Sequence, residues 1–353
     1  LRNAESARYF AGFPIGFNVV IGGQKIGSNG RIEDAANELS FLFLKALDHI
    51  RLPQPNLSAR LFAGSSREFL DECTRLIGLG TGMPQVFNDE SIIPALESRG
   101  ITHYDAVGYA VVGCVELSSS GSMLGFSDAA MFNLVKALEL ALNDGICMIT
   151  NRPLGVRSGK LTNFDSYEAL EVSFRGQIDH FIGRMIRACE TVDRAHAEYL
   201  PSPFLSCVIE ECIEKGIDVT AGGARYNFSG IQAIQPANVA DSLAAIKQMV
   251  FDEKKISREA LLAALRADFK DTETLRQSLL HKVPKYGNDV EWVDRIGEKW
   301  AGYFAERLSA HTNIRGGLYH MGLYTVSAHV PMGKNVAAPP DGRRSGEPLA
   351  DGG

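Results

Sequence analysis

The chain has 353 residues, 45% hydrophobic and 22% charged, with a formal net charge of −6. That composition suits a globular protein with a large core, organised as one large or two medium domains. It has no basic stripe, no apolar run of membrane-spanning length, and no signal-peptide pattern in "LRNAESARYF". The expectation is a cytoplasmic protein with neither nucleic acid nor membrane as partner.

In chain order, "EDAANELSFLFLKALDHI" (33–50) carries apolar residues at helical spacing and predicts an amphipathic helix. "NLSARLF" (56–62) alternates and predicts a strand. "SSREFLDECTRLIGLG" (65–80) predicts a helix with serine caps and a terminal glycine. "PQVFND" (84–89) predicts a short strand, and "ESIIPALESRG" the helix after it. "DAVGYAVVG" (105–113) is a small-apolar run suited to a strand buried on both faces. "DAAMFNLVKALELALNDG" (128–145) predicts a helix with Asp128 as N-cap and Gly145 at its end. Strand and helix thus alternate from 56 to 145, the grammar of a parallel sheet or barrel. Residues 166–216 read as helical, 218–251 as a Gly-rich loop, a strand and a helix, and 257–310 as mostly helical around "VPKYGND" (283–289). "GGLYHMGLYTVSAHVPMG" (316–333) reads as a strand and a turn. The chain opens without methionine and closes in the loop-like "PPDGRRSGEPLADGG", so it reads as a piece of a longer protein.

Six cysteines are scattered, with no C-x-x-C pair and no zinc pattern, so no metal site is expected. Cys73, Cys147 and Cys189 are expected to be small buried hydrophobes, and Cys207 and Cys212 to face different ways on one helix. Cys114 stands apart, in "VVGCVELSSSG" (111–121) at the expected carboxyl end of a buried strand. A thiolate role is poorly supported, because the nearest histidine in sequence, His103, lies beyond an apolar strand and Glu116 would raise the thiol pKa. A buried structural cysteine is the default. Glu116 is harder to explain as structure, since a carboxylate after an apolar strand needs a partner or a role. In an extended loop both side chains would share one face: the thiol could exchange a hydrogen atom and the carboxylate accept a hydroxyl proton. Asp128 is accounted for as a helix cap, or as an acceptor gripping a polyol. "GGARYN" (222–227) lacks both phosphate-loop patterns and reads as a tight turn. His180 and His196 read as surface or packing residues. His320 and His329 are weaker candidates for lining a site.

"GCVE", together with "NELSFLFLKA", "PQPNLSARLF", "GMPQVFND", "GGARYNFSGIQAIQPANVADSLAAIK", "PKYGND" and "DGRRSGEPLADG", resembles segments of the glycyl radical enzymes in family order. This is the family of pyruvate formate-lyase and glycerol dehydratase, and the resemblance covers almost the whole chain. It implies an α/β fold: a ten-stranded barrel of two five-stranded parallel halves with an interior cysteine loop, of which residues 1–353 would form part. It implies that Cys114 becomes a thiyl radical, that Glu116 is the general base, and that Asp128 binds a substrate hydroxyl. Pyruvate formate-lyase itself uses two adjacent cysteines, whereas Gly113 and Val115 flank Cys114, so that chemistry is disfavoured. The family's radical-bearing Arg-Val-x-Gly-Tyr/Phe motif does not occur in these residues; "RGGLYH" (315–320) lacks the valine. The N-terminal helical part of the dehydratases is absent too, so this chain alone is expected to be inactive.

The resemblance implies dehydration of a small diol or polyol, with no bound cofactor. A protein glycyl radical would be installed by a partner activating enzyme that uses S-adenosylmethionine and an iron–sulfur cluster. A homodimer is implied as well. The alternatives are another C–N, C–S or C–C bond-cleaving lyase of the family, including a formate acetyltransferase-like enzyme, an inactive fragment, or a thiolate hydrolase built on Cys114.

Overall fold

The structure, a computed structural model, describes residues 18–52, 55–113, 115–325 and 327–351. In chain order the elements are β1 (Asn18–Gly22), β2 (Gln24–Ile26), β3 (Ile32–Asp34), α1 (Glu38–Ile50), β4 (Asn56–Leu61), α2 (Arg67–Ile77), β5 (Gln85–Asn88), α3 (Asp89–Glu97), α4 (His103–Val107), β6 (Tyr109–Val112) and β7 (Glu116–Ser119). They continue with β8 (Phe126–Asn133), α5 (Leu134–Leu142), α6 (Tyr167–Tyr199), α7 (Pro203–Ser206), α8 (Cys212–Lys215), β9 (Ser229–Ile234), α9 (Pro236–Ile246), α10 (Arg258–Arg266), α11 (Glu273–His281), α12 (Glu291–Ser309), β10 (Tyr319–Gly322) and α13 (His329–Gly333). The described residues fall into two compact units, one up to residue 125 together with 201–227, the other 126–200 together with 228 onward.

In the first unit β1, β4 and β5 form a parallel sheet in the order β1-β4-β5. Leu57 and Ala59 of β4 join Leu44 of α1 and Phe69, Cys73 and Leu76 of α2 in one core cluster. Each fully buried leucine or phenylalanine there contributes roughly 1.5–3 kcal/mol. The helix starts are chemically explicit. Asn37 caps α1 in a reciprocal box with Ser40, and Ser66 accepts from the Phe69 N–H to cap α2. The predicted helix over 33–50 begins only at Glu38, because Ile32–Asp34 pairs antiparallel with β2.

In the second unit β8, β9 and β10 form a parallel sheet in the order β10-β9-β8. The core beneath it includes Leu138, Phe174, Ile231, Leu243, Trp300 and Phe304. The Phe174 and Trp300 rings lie 4.4 Å apart, and Phe132 meets Phe304 edge-on at 4.9 Å. Gly230 lets β9 approach β8 closely, since a Cβ there would sit 2.2 Å from the Ser127 carbonyl oxygen.

Three expectations need correction. The run 105–113 is not one strand: the Thr102 hydroxyl accepts from the Asp105 N–H and caps the short helix α4, so the strand β6 starts at Tyr109. Asp128 does not cap a helix: Phe126–Asn133 is strand β8, paired parallel with β9, and the helix starts at Leu134 under Asn133. Ladder bonds to β9 overrode the helical periodicity read over 128–133. Cys207 and Cys212 do not share a helix: Cys207 ends α7 and is exposed, whereas Cys212 begins α8 and is buried. Cys73, Cys147 and Cys189 are buried as expected.

Among the described residues no cluster of histidine, cysteine or carboxylate side chains is arranged to hold a metal ion. No described helix is long and apolar enough to cross a membrane.

Candidate active site

β6 and β7 pair antiparallel, Tyr109 opposite Ser119 and Val112 opposite Glu116. Three residues, 113–115, connect them. The expected exit from a parallel strand is therefore a tight hairpin instead. Gly113 turns the chain with φ +61, a left-handed conformation that glycine adopts without steric cost. The reading that Cys114 and Glu116 share one face of an extended loop falls on Cys114, which lies outside the described residues, although Glu116 itself is extended in β7.

Glu116 opens β7 and folds back over the turn. Its Oε2 accepts from the Val115 N–H at 2.8 Å. Both carboxylate oxygens lie 3.0 Å from where a Cβ on Gly113 would be. A side chain at 113 would therefore displace the carboxylate as well as strain the backbone.

The hairpin is pinned at both ends. At the turn, the Gly113 carbonyl accepts from Asn56 Nδ2 at 2.9 Å and Asn18 Nδ2 at 3.4 Å. These asparagines are paired neighbours, the first residues of β4 and β1, and the Ser58 hydroxyl donates to Asn18 Oδ1 at 2.8 Å. At the base, the Arg60 guanidinium donates to the Tyr109 and Val107 carbonyls and forms a bidentate pair with Asp89 at 2.8 and 2.9 Å. The Tyr109 hydroxyl donates to the same carboxylate at 2.8 Å, and Arg60 stacks on the Tyr109 ring at 3.8 Å. Burial, with the carboxylate beside it, pushes the Tyr109 hydroxyl well above its usual range. Asn18, Asn56 and the Arg60–Asp89 pair were not singled out in the sequence. Their only local signal is a polar residue opening or interrupting an apolar strand.

The serines after Glu116 serve partly as structure. The Ser119 hydroxyl donates to the Asp105 carbonyl, and the Ser122 hydroxyl to Ser119. His103 is bound to Glu97 at 2.7 Å. "GGARYN" forms the expected tight turn, with Gly222 at φ +98. Its Arg225 is engaged by Asp105, Glu210 and Glu211, so no phosphate is needed to account for that charge.

Asp128 belongs to the second unit and is exposed on β8. The Tyr324 hydroxyl donates to its Oδ1 at 2.9 Å, a partner with no signal in the sequence. His320 stacks on Phe228 at 4.3 Å, and His196 on Phe126 at 5.3 Å. His329 Nδ1 lies 3.5 Å from Asp351.

The pyruvate formate lyase-like family model matches residues 1–333. The chain belongs to that family. It is 36% identical to the (2S)-3-sulfopropanediol dehydratase of Klebsiella oxytoca over 320 residues, which are 90% of this chain and 39% of the relative. It is 35% identical to the "probable dehydratase YbiW" of Escherichia coli, over all of this chain and 45% of the relative. The glycerol-bound structure of the B12-independent glycerol dehydratase from Clostridium butyricum is 41% identical and superposes with a TM-score of 0.92, over 99% of this chain and 44% of that one. The chain thus spans 39–45% of the length of these relatives.

Proposed function

We propose that this chain belongs to a glycyl radical lyase that removes water from a small diol or polyol. Support comes from the dehydratases among its relatives and from one observation above all: Glu116 folded against the turn that bears Cys114. In the whole protein the unpaired electron comes from a glycyl radical, installed by an activating enzyme with S-adenosylmethionine and an iron–sulfur cluster. The ten-stranded barrel belongs to the same proposal.

Cys114 Sγ takes a hydrogen atom from the hydroxyl-bearing carbon of the substrate and later returns it. Glu116 accepts the proton of that hydroxyl and passes it to the departing neighbouring hydroxyl, so that the C–O bond breaks and water leaves. Asp128 holds a substrate hydroxyl as an acceptor, with the Tyr324 hydroxyl orienting its carboxylate. The pinned hairpin keeps the sulfur from drifting between the two transfers, which need the same geometry.

The test is anaerobic activation of the whole protein followed by incubation with glycerol and a 1,2-diol. The expected product is the aldehyde left by loss of water, abolished by Cys114→Ala. An activated protein that carries the radical but forms no aldehyde from any diol would overturn the dehydratase reading.

A further inference from the structure

A second sulfur site lies in the second unit, unused by the proposed reaction. Lys136 is in the first turn of α5 and Cys147 is in the loop after that helix. Lys136 Nζ lies 3.0 Å from Cys147 Sγ and 2.6 Å from Glu139 Oε1. Glu139 is clamped: Oε1 accepts from the Met148 N–H at 2.8 Å and Oε2 from the Ala337 N–H at 2.9 Å. The carboxylate therefore cannot swing away, and it holds the ammonium against the sulfur. The Thr150 N–H also points at Sγ, at 3.4 Å. Cys147 is 3% exposed, and the Lys136 side chain 16%. Large reactants are shut out, but a diatomic gas is not.

Burial raises the Cys147 thiol, but the hydrogen bonds from Thr150 and Lys136 outweigh it and hold the group below the ordinary thiol range. An electron-rich sulfur, a fixed amine and an adjacent proton acceptor are the parts an oxidative coupling needs.

We propose that Cys147 and Lys136 form a redox-modification site, at which dioxygen links Sγ to Nζ through one bridging oxygen atom. Thiolate, ammonium and O2 give the S–O–N link and one water. The Sγ–O and O–Nζ bonds form and the O–O bond breaks. Sulfur and nitrogen each give up two electrons, and dioxygen takes all four. Two of the three ammonium protons leave in the water, passing by way of Glu139, and the third stays on nitrogen. A single oxygen atom spans the observed gap, whereas a direct S–N bond would require the two atoms to move much closer. The pair is already aligned, so little order has to be imposed for coupling to occur. Two equivalents of a dithiol restore thiol, amine and water. The link ties the first turn of α5 to the loop that follows it and makes the local structure depend on oxygen exposure.

The test compares the whole protein, prepared without oxygen, before and after exposure to air-saturated buffer. After digestion, mass spectrometry is expected to find the Lys136 and Cys147 peptides joined, one oxygen heavier and two hydrogens lighter than their sum. The link should vanish on dithiol treatment and be absent from Lys136→Arg and Cys147→Ser. Because either variant can perturb folding, the wild-type protein is also denatured and its thiols titrated, with one fewer expected after air. An unchanged thiol count, Cys147 recovered as a sulfinic acid beside unmodified Lys136, or a joined pair lacking the oxygen would each overturn the proposal.

Discussion

Asn56 Nδ2 donates to the Gly113 carbonyl at 2.9 Å, joining the first residue of a buried parallel strand to the turn before Cys114. Asn56 is 6% exposed, so its amide cannot exchange this acceptor for water without cost. Asn56→Ala is expected to destabilise the protein by about 1–3 kcal/mol, read as a lower urea midpoint with an unchanged slope. In the activated whole protein kcat should fall with KM little changed, because the turn and not the substrate is loosened. An unaltered kcat would remove Asn56 from any positioning role.

Gly113→Ala is expected to act twice over. The left-handed backbone at φ +61 costs about 1 kcal/mol with a Cβ. The new methyl also meets both Glu116 carboxylate oxygens at 3.0 Å. Activity should therefore fall further than the stability change alone explains. Equal losses in folded fraction and in rate would argue against contact between the two side chains.

Glu116→Gln keeps the shape and the bond to the Val115 N–H but removes the carboxylate proposed as the base. The rate of the activated protein should drop roughly 10²–10⁴-fold while its denaturation midpoint stays put. Tyr324→Phe, which deletes the hydroxyl bound to Asp128, should instead raise KM about tenfold with a smaller change in kcat. Steady-state kinetics on both variants separates the proton-transfer role from the substrate-holding one.

Asp241 gives a pH prediction. Burial pushes its carboxyl up to about 6, with Asp341 adding to the rise and the Tyr286 N–H and Lys285 opposing it. The native state thus binds this proton more tightly than the unfolded chain, whose carboxylate titrates near ~3.9. The associated stability is fully present below pH ~4 and is lost as pH rises through about 6. Asp241→Asn retains an oxygen for the Tyr286 N–H and should stabilise by about 3 kcal/mol at neutral pH but not near pH 4. Urea midpoints across that range test it, and a difference independent of pH would refute it.

Arg60 and Arg295 offer a contrast in burial. The Arg60 and Asp89 side chains are 7% and 0% exposed, and Arg60→Ala leaves a buried carboxylate unpaired, at an expected cost of about 3–5 kcal/mol. Arg295 and Glu291 are 68% and 79% exposed on one face of α12, and Arg295→Ala should change stability by no more than about 0.5 kcal/mol. Thermal denaturation of the two variants side by side checks the ranking.

The sequence made the alternating first half legible where period and cap agreed, as at β4, α2 and β5. It misled over 128–133, which carry helical spacing yet are held extended by β9, about 100 positions away along the chain. It misled again at 105–113, where a run of small apolar residues concealed a capped helical turn. Cys114, Glu116 and Asp128 were singled out through the family resemblance, and their roles stand as proposals. The pinning of the hairpin was not, because Asn18, Asn56 and Arg60 acquire meaning only once distant strands are brought side by side.

The Arg60 guanidinium also constrains the order of assembly. The hairpin joins residues only a few positions apart and can close early, at little entropic cost. Its clamp cannot form so soon, because Arg60 lies 47 and 49 residues from the carbonyls it holds and 29 from Asp89. The turn bearing Cys114 would therefore exist as a loose local element first and become rigid only when the parallel sheet is complete. Order in the Gly113 turn would then mark the end of folding in this unit, and a chain halted midway would present that turn without the frame that holds its carbonyl.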